Sequence, residues 1–330
     1  MSSKINKIPT NIITGFLGVG KTSSILHLLK NKPENERWAV LVNEFGEIGI
    51  DGSLIKGQYS ENSGVFIQEV PGGCMCCAAG LPMQVALNQL LTRAKPDRLL
   101  IEPTGLGHPI EILQNLSDKF YQQILQVEKI LTLVDARNLT DRRYTDHDTF
   151  NQQISIADIV VGNKQDLYQG GEQAKLEDYV NNMVATNITI HVTEQGRIDP
   201  QWLQGKTTAI ARHAHHHHHS SSIEVDLNSM EIPESGYIKA ENEGEGFSSI
   251  GWRFDAHKVF NRKKIHTFLM GVKAERMKAV FITEQGVFGY NLTRDALTEI
   301  ELDETLESRI EIIAYNREPQ WQTDLLACID

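Results

Sequence analysis

Short apolar, β-branched runs alternate with amphipathic stretches as far as residue 205. "NIITGF" (11–16), "WAVLVNEF" (38–45), "DRLLIEPTG" (97–105), "KILTLVDA" (129–136), "ADIVVGNK" (157–164) and "NITIHVTE" (187–194) read as strands. Between most of them, "TSSILHLLKN" (22–31), "LPMQVALNQLLTRA" (81–94), "PIEILQNLSDKF" (109–120) and "EQAKLEDYVNNMVA" (172–185) place apolar residues at helical spacing. Apolar strands that take turns with helices predict a parallel α/β sheet covered on both faces. Ligands of such sheets gather at the carboxyl ends of the strands, so unusual residues at those ends carry the chemistry.

The texture then changes. "HAHHHHHSSS" (213–222) is low-complexity, and "EIPESGYIKAENEGEG" (231–246) is acidic and polar. Neither buries enough apolar surface to order itself cheaply, which predicts a tether over 206–246. Regular patterning resumes with a strand in "SIGWRFD" (249–255), a helix in "HKVFNRKKIHTFLMG" (257–271) and a hairpin turning near Gly286. "SRIEIIAY" (308–315) and a closing helix in "EPQWQTDLLACI" (318–329) complete a small α+β domain. The expected division is therefore 1–205, tether 206–246 and 247–330, in keeping with a chain of 330 residues that is long for one core.

Thirty-two basic against 43 acidic residues give a net charge of −11, which argues against a nucleic-acid or membrane partner. The N-terminal "MSSKINKIPTNIITGF" has no apolar run suited to export, and no segment approaches the ~20 apolar residues of a membrane span. The expectation is a protein of the reducing cytoplasm, where disulfide frameworks are rare.

"GFLGVGKT" (15–22) fits G-x-x-x-x-G-K-[ST] between an apolar strand and a helix. Its glycines let successive backbone N–H groups face phosphate oxygens, and the helix N-terminus adds partial positive charge. Gly15, Gly18, Val19, Gly20, Lys21, Thr22 and Ser23 are the candidate phosphate-binding residues. Lys21 would reach the β and γ phosphates, and the Thr22 hydroxyl would sit on Mg²⁺. "NKQD" (163–166) follows a late strand and addresses the base. The Asp166 carboxylate can accept from N1–H and the exocyclic amine of guanine, a donor pair adenine lacks, while Lys164 can lie along the base plane and Asn163 opens the motif. These residues select GTP and GDP.

An acidic Mg²⁺ partner should close a neighbouring strand, and Glu102 and Asp135 both qualify. Thr104 and Gly105 follow Glu102 with backbone N–H groups able to sense the γ-phosphate, which favours Glu102; Asp135 reads as a strand-end cap. No glutamine stands where a Ras-like enzyme orients its water. "NEFGEIGID" (43–51) looks like a switch loop able to supply that group through Glu44, Glu47 or Asp51. Lys21, Glu102 and Glu44 form the candidate catalytic set.

Three of the four cysteines fall in "PGGCMCCAAG" (71–80). Cys74, Cys76 and Cys77 suit a soft or borderline ion such as Zn²⁺, Cu⁺ or Co²⁺. A closed zinc site wants four ligands, and the remaining Cys328 stands far away in sequence, so the set suggests an open, exchangeable site. The competing reading is a tight turn whose small side chains happen to be cysteines. Imidazoles of the internal histidine run, His215, His217 and His219 among them, can collect Zn²⁺, Ni²⁺, Co²⁺ or Cu²⁺ weakly; a solvated linker is the alternative there.

In this order and spacing, "GFLGVGKT", "VNEFGEIGID", "GGCMCC", "LLIEPTGLG", "VDA" and "NKQD" resemble the CobW-like P-loop GTPases, particularly the YeiR-type zinc-binding members. The resemblance covers nearly the whole chain. It implies a P-loop GTPase fold with a mostly parallel sheet flanked by helices, followed by a small α+β CobW-type C-terminal domain. It also implies Glu102 in place of the usual Walker-B aspartate, and Glu47 as a carboxylate able to join the cysteine site. Some relatives carry a further glutamate directly before "NEFGE", where this chain has Val42. The activity implied is that of a GTP-hydrolysing metallochaperone that hands a transition metal, Zn²⁺ with Co²⁺ or Ni²⁺ as alternatives, to a client metalloprotein. A metal store with little hydrolysis, cobalt delivery for cobalamin synthesis and the nickel-delivery GTPases are the competing readings, and self-association stays open.

Overall fold

The computed structural model describes residues 7–42, 61–70, 81–107, 109–184, 188–209, 232–244, 247–293, 296–302, 305 and 307–330. They belong to two compact units. In the first, β1 (Ile8–Gly15), β2 (Trp38–Val42), β3 (Val65–Glu69), β4 (Arg98–Glu102), β5 (Leu125–Val127), β6 (Leu131–Val134), β7 (Ile159–Gly162) and β8 (Thr189–Val192) build one sheet. Its order is β3-β2-β4-β1-β6-β7-β8, with β5 also paired to β1. Every pairing whose register is described is parallel, as the continuous apolar runs predict. Both faces of "WAVLV", "LLIE" and "IVVG" are buried.

Parallel strands bring their carboxyl ends to one edge of the sheet. The chain builds outward from β1 in both directions, so the turn after β1 lies at the topological switch point. The helices of eight residues or more in this unit are α1 (Lys21–Lys30), α2 (Leu81–Ala94), α3 (Pro109–Leu116), α4 (Asp148–Ser155) and α5 (Glu172–Met183). Proline opens α3, where its missing N–H costs nothing. Helix α4 is absent from the sequence expectation because "DTFNQQIS" offers only Phe150 and Ile154 as an apolar stripe. Its start is fixed instead by the His147 ring, whose Nδ1 accepts the Thr149 N–H at 3.2 Å.

The expected tether over 206–246 is too long at both ends. At its start, the carboxylate of Asp158 accepts the N–H and hydroxyl of Thr208, both at 2.8 Å, so the first unit continues past residue 205. At its end, Tyr237–Gly244 is a strand, β9. An acidic, glycine-bearing edge strand hides its pattern because it needs one partner only, and β10 (Phe247–Phe254) supplies it from Tyr237↔Phe254 to Gly244↔Phe247.

The second unit continues with α6 (Arg262–Gly271), β11 (Arg276–Thr283), β12 (Gly286–Leu292), β13 (Leu297–Leu302), β14 (Ser308–Ala314) and α7 (Trp321–Leu326). Its antiparallel sheet runs β13-β12-β11-β14-β10-β9. The β11–β12 hairpin turns at Gly286 as the sequence indicates. Helix α6 begins later than its apolar spacing suggests. Asn261 caps it by accepting the Lys264 N–H at 3.2 Å, and the preceding Phe260 is held by the sheet, its N–H on Ile282 O at 2.9 Å. One sheet face packs Trp252, Phe254, Phe281, Ile310 and Ile312 against Ile265, Leu269, Trp321 and Leu325 of the two helices. Among the described residues no helix is long and apolar enough to cross a membrane.

Two stability outcomes follow from this unit. Phe260 is fully buried, with ring centroids 5.0 Å from Phe254 and 4.7 Å from Phe281. Phe260→Ala should cost about 3–5 kcal/mol in urea unfolding, and a loss under about 1 kcal/mol would mean the core closes around the void. Glu307 accepts from Arg253 Nε at 2.7 Å and Nη2 at 2.9 Å, and from Arg309 Nε at 2.6 Å. Burial alone would raise its carboxyl pKa, but the two guanidiniums overcome burial and hold it below the ordinary value. A depressed carboxylate stabilises fully above its unfolded pKa of about 4.3 and stops doing so as pH falls through the folded value. Glu307→Gln should therefore lower the urea midpoint at pH 7, with a gap to wild type that narrows toward pH 3. A gap constant across that range would dissociate Glu307 ionisation from stability.

Candidate nucleotide site

The turn after β1 is built on glycines that nothing larger can replace. Gly15 (φ 143°) and Gly20 (φ 100°) occupy backbone conformations that L side chains rarely adopt. Space forbids substitution as well: a Cβ on Gly15 would come 2.4 Å from Leu133 O, and one on Gly20 would come 2.5 Å from Asn163 Nδ2. Gly20 opens α1 with no side-chain cap, so the helix N-terminus keeps its backbone donors for another acceptor. Gly18 is also left-handed, Val19 is buried and Ser23 is exposed.

Lys21 is buried and folds back over its own loop. Its Nζ donates to Gly15 O at 2.8 Å and Phe16 O at 3.1 Å. On the next residue, Thr22 Oγ1 donates to Glu102 Oε1 at 3.0 Å. Glu102, 1% exposed, stands at the end of β4, beside β1 in the sheet. A hydroxyl and a carboxylate in contact, both hard oxygen donors, fit a small divalent cation such as Mg²⁺. Asp135, the competing acid, is the strand-end cap that the sequence indicates. It accepts Arg137 N–H at 3.2 Å, Nε at 2.9 Å and Nη2 at 2.6 Å.

The 163–166 loop is tied to the glycine loop by a residue whose structural part the sequence did not reveal. Asn163 Nδ2 donates to Val19 O at 2.8 Å, and its Oδ1 accepts Gly196 N–H at 3.0 Å. Its own N–H bonds Val134 O at 2.8 Å. One buried amide thus joins three loops. Lys164 takes a left-handed conformation (φ 63°) and places Nζ 3.6 Å from Asp135 Oδ2; Asp166 is exposed. Tyr168, also missed, donates its hydroxyl to Asn163 O at 3.0 Å and accepts Ala136 N–H at 3.4 Å. Burial pushes its pKa up to about 12, so the donor stays protonated at physiological pH.

On the other side, Gly105 lies against the glycine loop: a Cβ there would come 2.9 Å from Leu17 N. Phe16 packs edge-on to His147 at 4.8 Å, Tyr144 at 5.3 Å and Phe150 at 5.9 Å. Gln153 of α4 donates from Nε2 to Gly105 O at 3.0 Å. No motif in the sequence signals Gln153, because its role exists only once α4 is folded against that turn.

Glu44, Glu47, Cys74, Cys76, Cys77, His215, His217 and His219 lie outside the described residues. Cys328 is buried in the core of the second unit and donates to Asp324 O at 3.2 Å. Burial pushes its thiol pKa up to about 11, which suits a packed apolar side chain better than a thiolate ligand. Among the described residues no group of three or more His, Cys, Asp or Glu side chains could hold a metal ion.

Residues 9–191 match the family described as CobW/HypB/UreG, nucleotide-binding domain. The chain is 41% identical to the zinc chaperone YeiR of Escherichia coli (strain K12) over 321 residues, covering 94% of each. It is 30% identical to the zinc chaperone CobW of a Sinorhizobium species over 222 residues, 60% of this chain and 62% of that one. Among solved structures, the Zn(II)-bound YjiA GTPase from E. coli aligns over 98% of this chain and 99% of its own, at 18% identity and a TM-score of 0.42. The family match over residues 9–191 and the 41% identity over 94% of the chain agree with a glycine loop at the sheet's switch point: the chain belongs to the CobW-like P-loop GTPase family.

Proposed function

We propose that this chain hydrolyses GTP and uses the nucleotide cycle to hold a transition metal ion, zinc foremost, and pass it to a client metalloprotein. The observation that carries the reading is the Thr22–Glu102 contact beneath the glycine loop, since it sets two hard oxygens where a phosphate-bound cation belongs. Thr22 and Glu102 would hold Mg²⁺, which when bound neutralises charge on the β and γ phosphate oxygens. Lys21 can exchange the carbonyls of Gly15 and Phe16 for phosphate oxygens without leaving the loop. Loop N–H groups and the start of α1 complete the anion cradle. The exposed Asp166 is free to accept from both guanine donors, while Asn163 holds the base loop in register with the phosphate loop. Glu44 is the residue assigned to orient the attacking water.

The metal is assigned to Cys74, Cys76 and Cys77. Support comes from thiolate chemistry and from the zinc-chaperone function named for the relative that matches 94% of the chain. If Glu47 belongs both to the switch loop and to the metal shell, nucleotide state and metal affinity are reciprocally coupled. His215, His217 and His219 serve as a weak collecting tract.

The decisive measurement is GTP turnover with and without Zn²⁺, Co²⁺ and Ni²⁺, in wild type and a Cys74/Cys76/Cys77→Ser variant. Wild type should respond to zinc and the variant should not. Identical metal profiles would detach the cysteines from the cycle, and negligible wild-type turnover with many metals bound would mark a store. For the base, Asp166→Asn should weaken GTP binding about a hundredfold through two lost charge-assisted hydrogen bonds. It should raise affinity for xanthosine triphosphate, whose C2 carbonyl accepts from the new amide. Unchanged GTP affinity would remove Asp166 from base recognition.

A further inference from the structure

We propose that Gln153 is a positioning residue for the γ-phosphate, acting through the turn Thr104–Gly107 that follows the acidic strand β4. The inference rests on the GTPase reading above. The turn closes with Gly107 N–H on Thr104 O at 3.2 Å, which puts Gly105 and Leu106 at its centre. One side-chain amide holds two of its carbonyls: Gln153 Nε2 is 3.0 Å from Gly105 O and reaches Gly107 O at 3.5 Å.

A trans peptide aims its C=O and N–H in opposite directions. Fixing Gly105 O toward α4 therefore turns the Leu106 N–H away from α4, and the orientation of that donor depends on Gln153. The turn is packed against the glycine loop at Leu17, so its donors stand beside the phosphate-binding backbone. Thr104 Oγ1 is buried in the same turn without a hydrogen-bond partner among the described residues, a hydroxyl donor available to an incoming anionic oxygen.

Gln153 itself has little freedom. It is 1% exposed, and its backbone carbonyl accepts from Thr132 Oγ1 of β6 at 2.6 Å. One turn earlier on α4, Phe150 packs against Phe16 of the glycine loop. Helix α4 thus touches the nucleotide site twice, by an aromatic edge and by an amide clamp. GDP, which has no γ-phosphate, makes no use of the clamped turn; GTP does.

Two variants separate positioning from bulk stability. Gln153→Met keeps the volume and removes the donor. Gln153→Glu can donate only while its buried carboxyl is protonated. With Mg²⁺ present, Gln153→Met should lower the thermal midpoint modestly, through the Gly105 carbonyl left unpaired, and retain GDP affinity, while GTP turnover and the preference for GTP over GDP fall about tenfold or more. Gln153→Glu should lose turnover as pH rises through its carboxyl pKa and recover it on acidification, a profile wild type lacks. Wild-type turnover and preference in Gln153→Met, or equal losses for GDP and GTP, would overturn the inference, as would a Gln153→Glu profile parallel to wild type. Wild-type protein that binds neither nucleotide would overturn the GTPase reading, and this inference with it.

Discussion

The buried amide of Asn163 is the constraint on which the nucleotide site depends. A side-chain amide offers two donors and an acceptor in one plane, and here it commits them to two different loops, Val19 O on one side and Gly196 N–H on the other. The glycine loop presents no polar side chain of its own between Gly15 and Gly20. Its shape is held by the packing of Phe16, by Lys21 folded back across its mouth and by Asn163 behind its last turn. The loop is anchored at both ends: β1 pairs with β6 up to Gly15↔Leu133, and α1 departs directly from Gly20.

What the sequence made legible were the parts whose chemistry is local. The glycine loop, the 163–166 loop, Glu102 at a strand end and the capping role of Asp135 are each contained in a few consecutive residues, and each stands at the carboxyl end of its strand. The bonds that assemble them are not local. Asn163 and Val19 are 144 positions apart, and Gln153 and Gly105 are 48 apart, so no window of sequence contains both partners. Tyr168 and Gln153 look like ordinary helix or loop residues until the backbone carbonyls they serve are in place.

The ordered ends of the expected tether are hidden in the sequence for the complementary reason. β9 reads as solvated linker because its composition is acidic and glycine-bearing, and an edge strand needs a partner on one of its sides only. Helix α4 went unread because two apolar residues in eight give too faint a period, yet it carries the contacts that reach the site from the side. The second unit was easier: its large aromatic residues alternate in register with the sheet, and a core of that size announces its strands.

The resting place of Lys21 would give nucleotide capture, on the function proposed above, the character of a displacement. An ammonium buried without partners would be costly, but here two peptide carbonyls act as an internal surrogate for the ligand. On the function proposed above, an arriving polyphosphate would compete with the protein's own backbone for the same cation, and its affinity would reflect the exchange of one set of hydrogen bonds for another. On that reading the loop is not electrostatically bare at rest, and its surrogate would yield to an anion able to take both carbonyls' place at once.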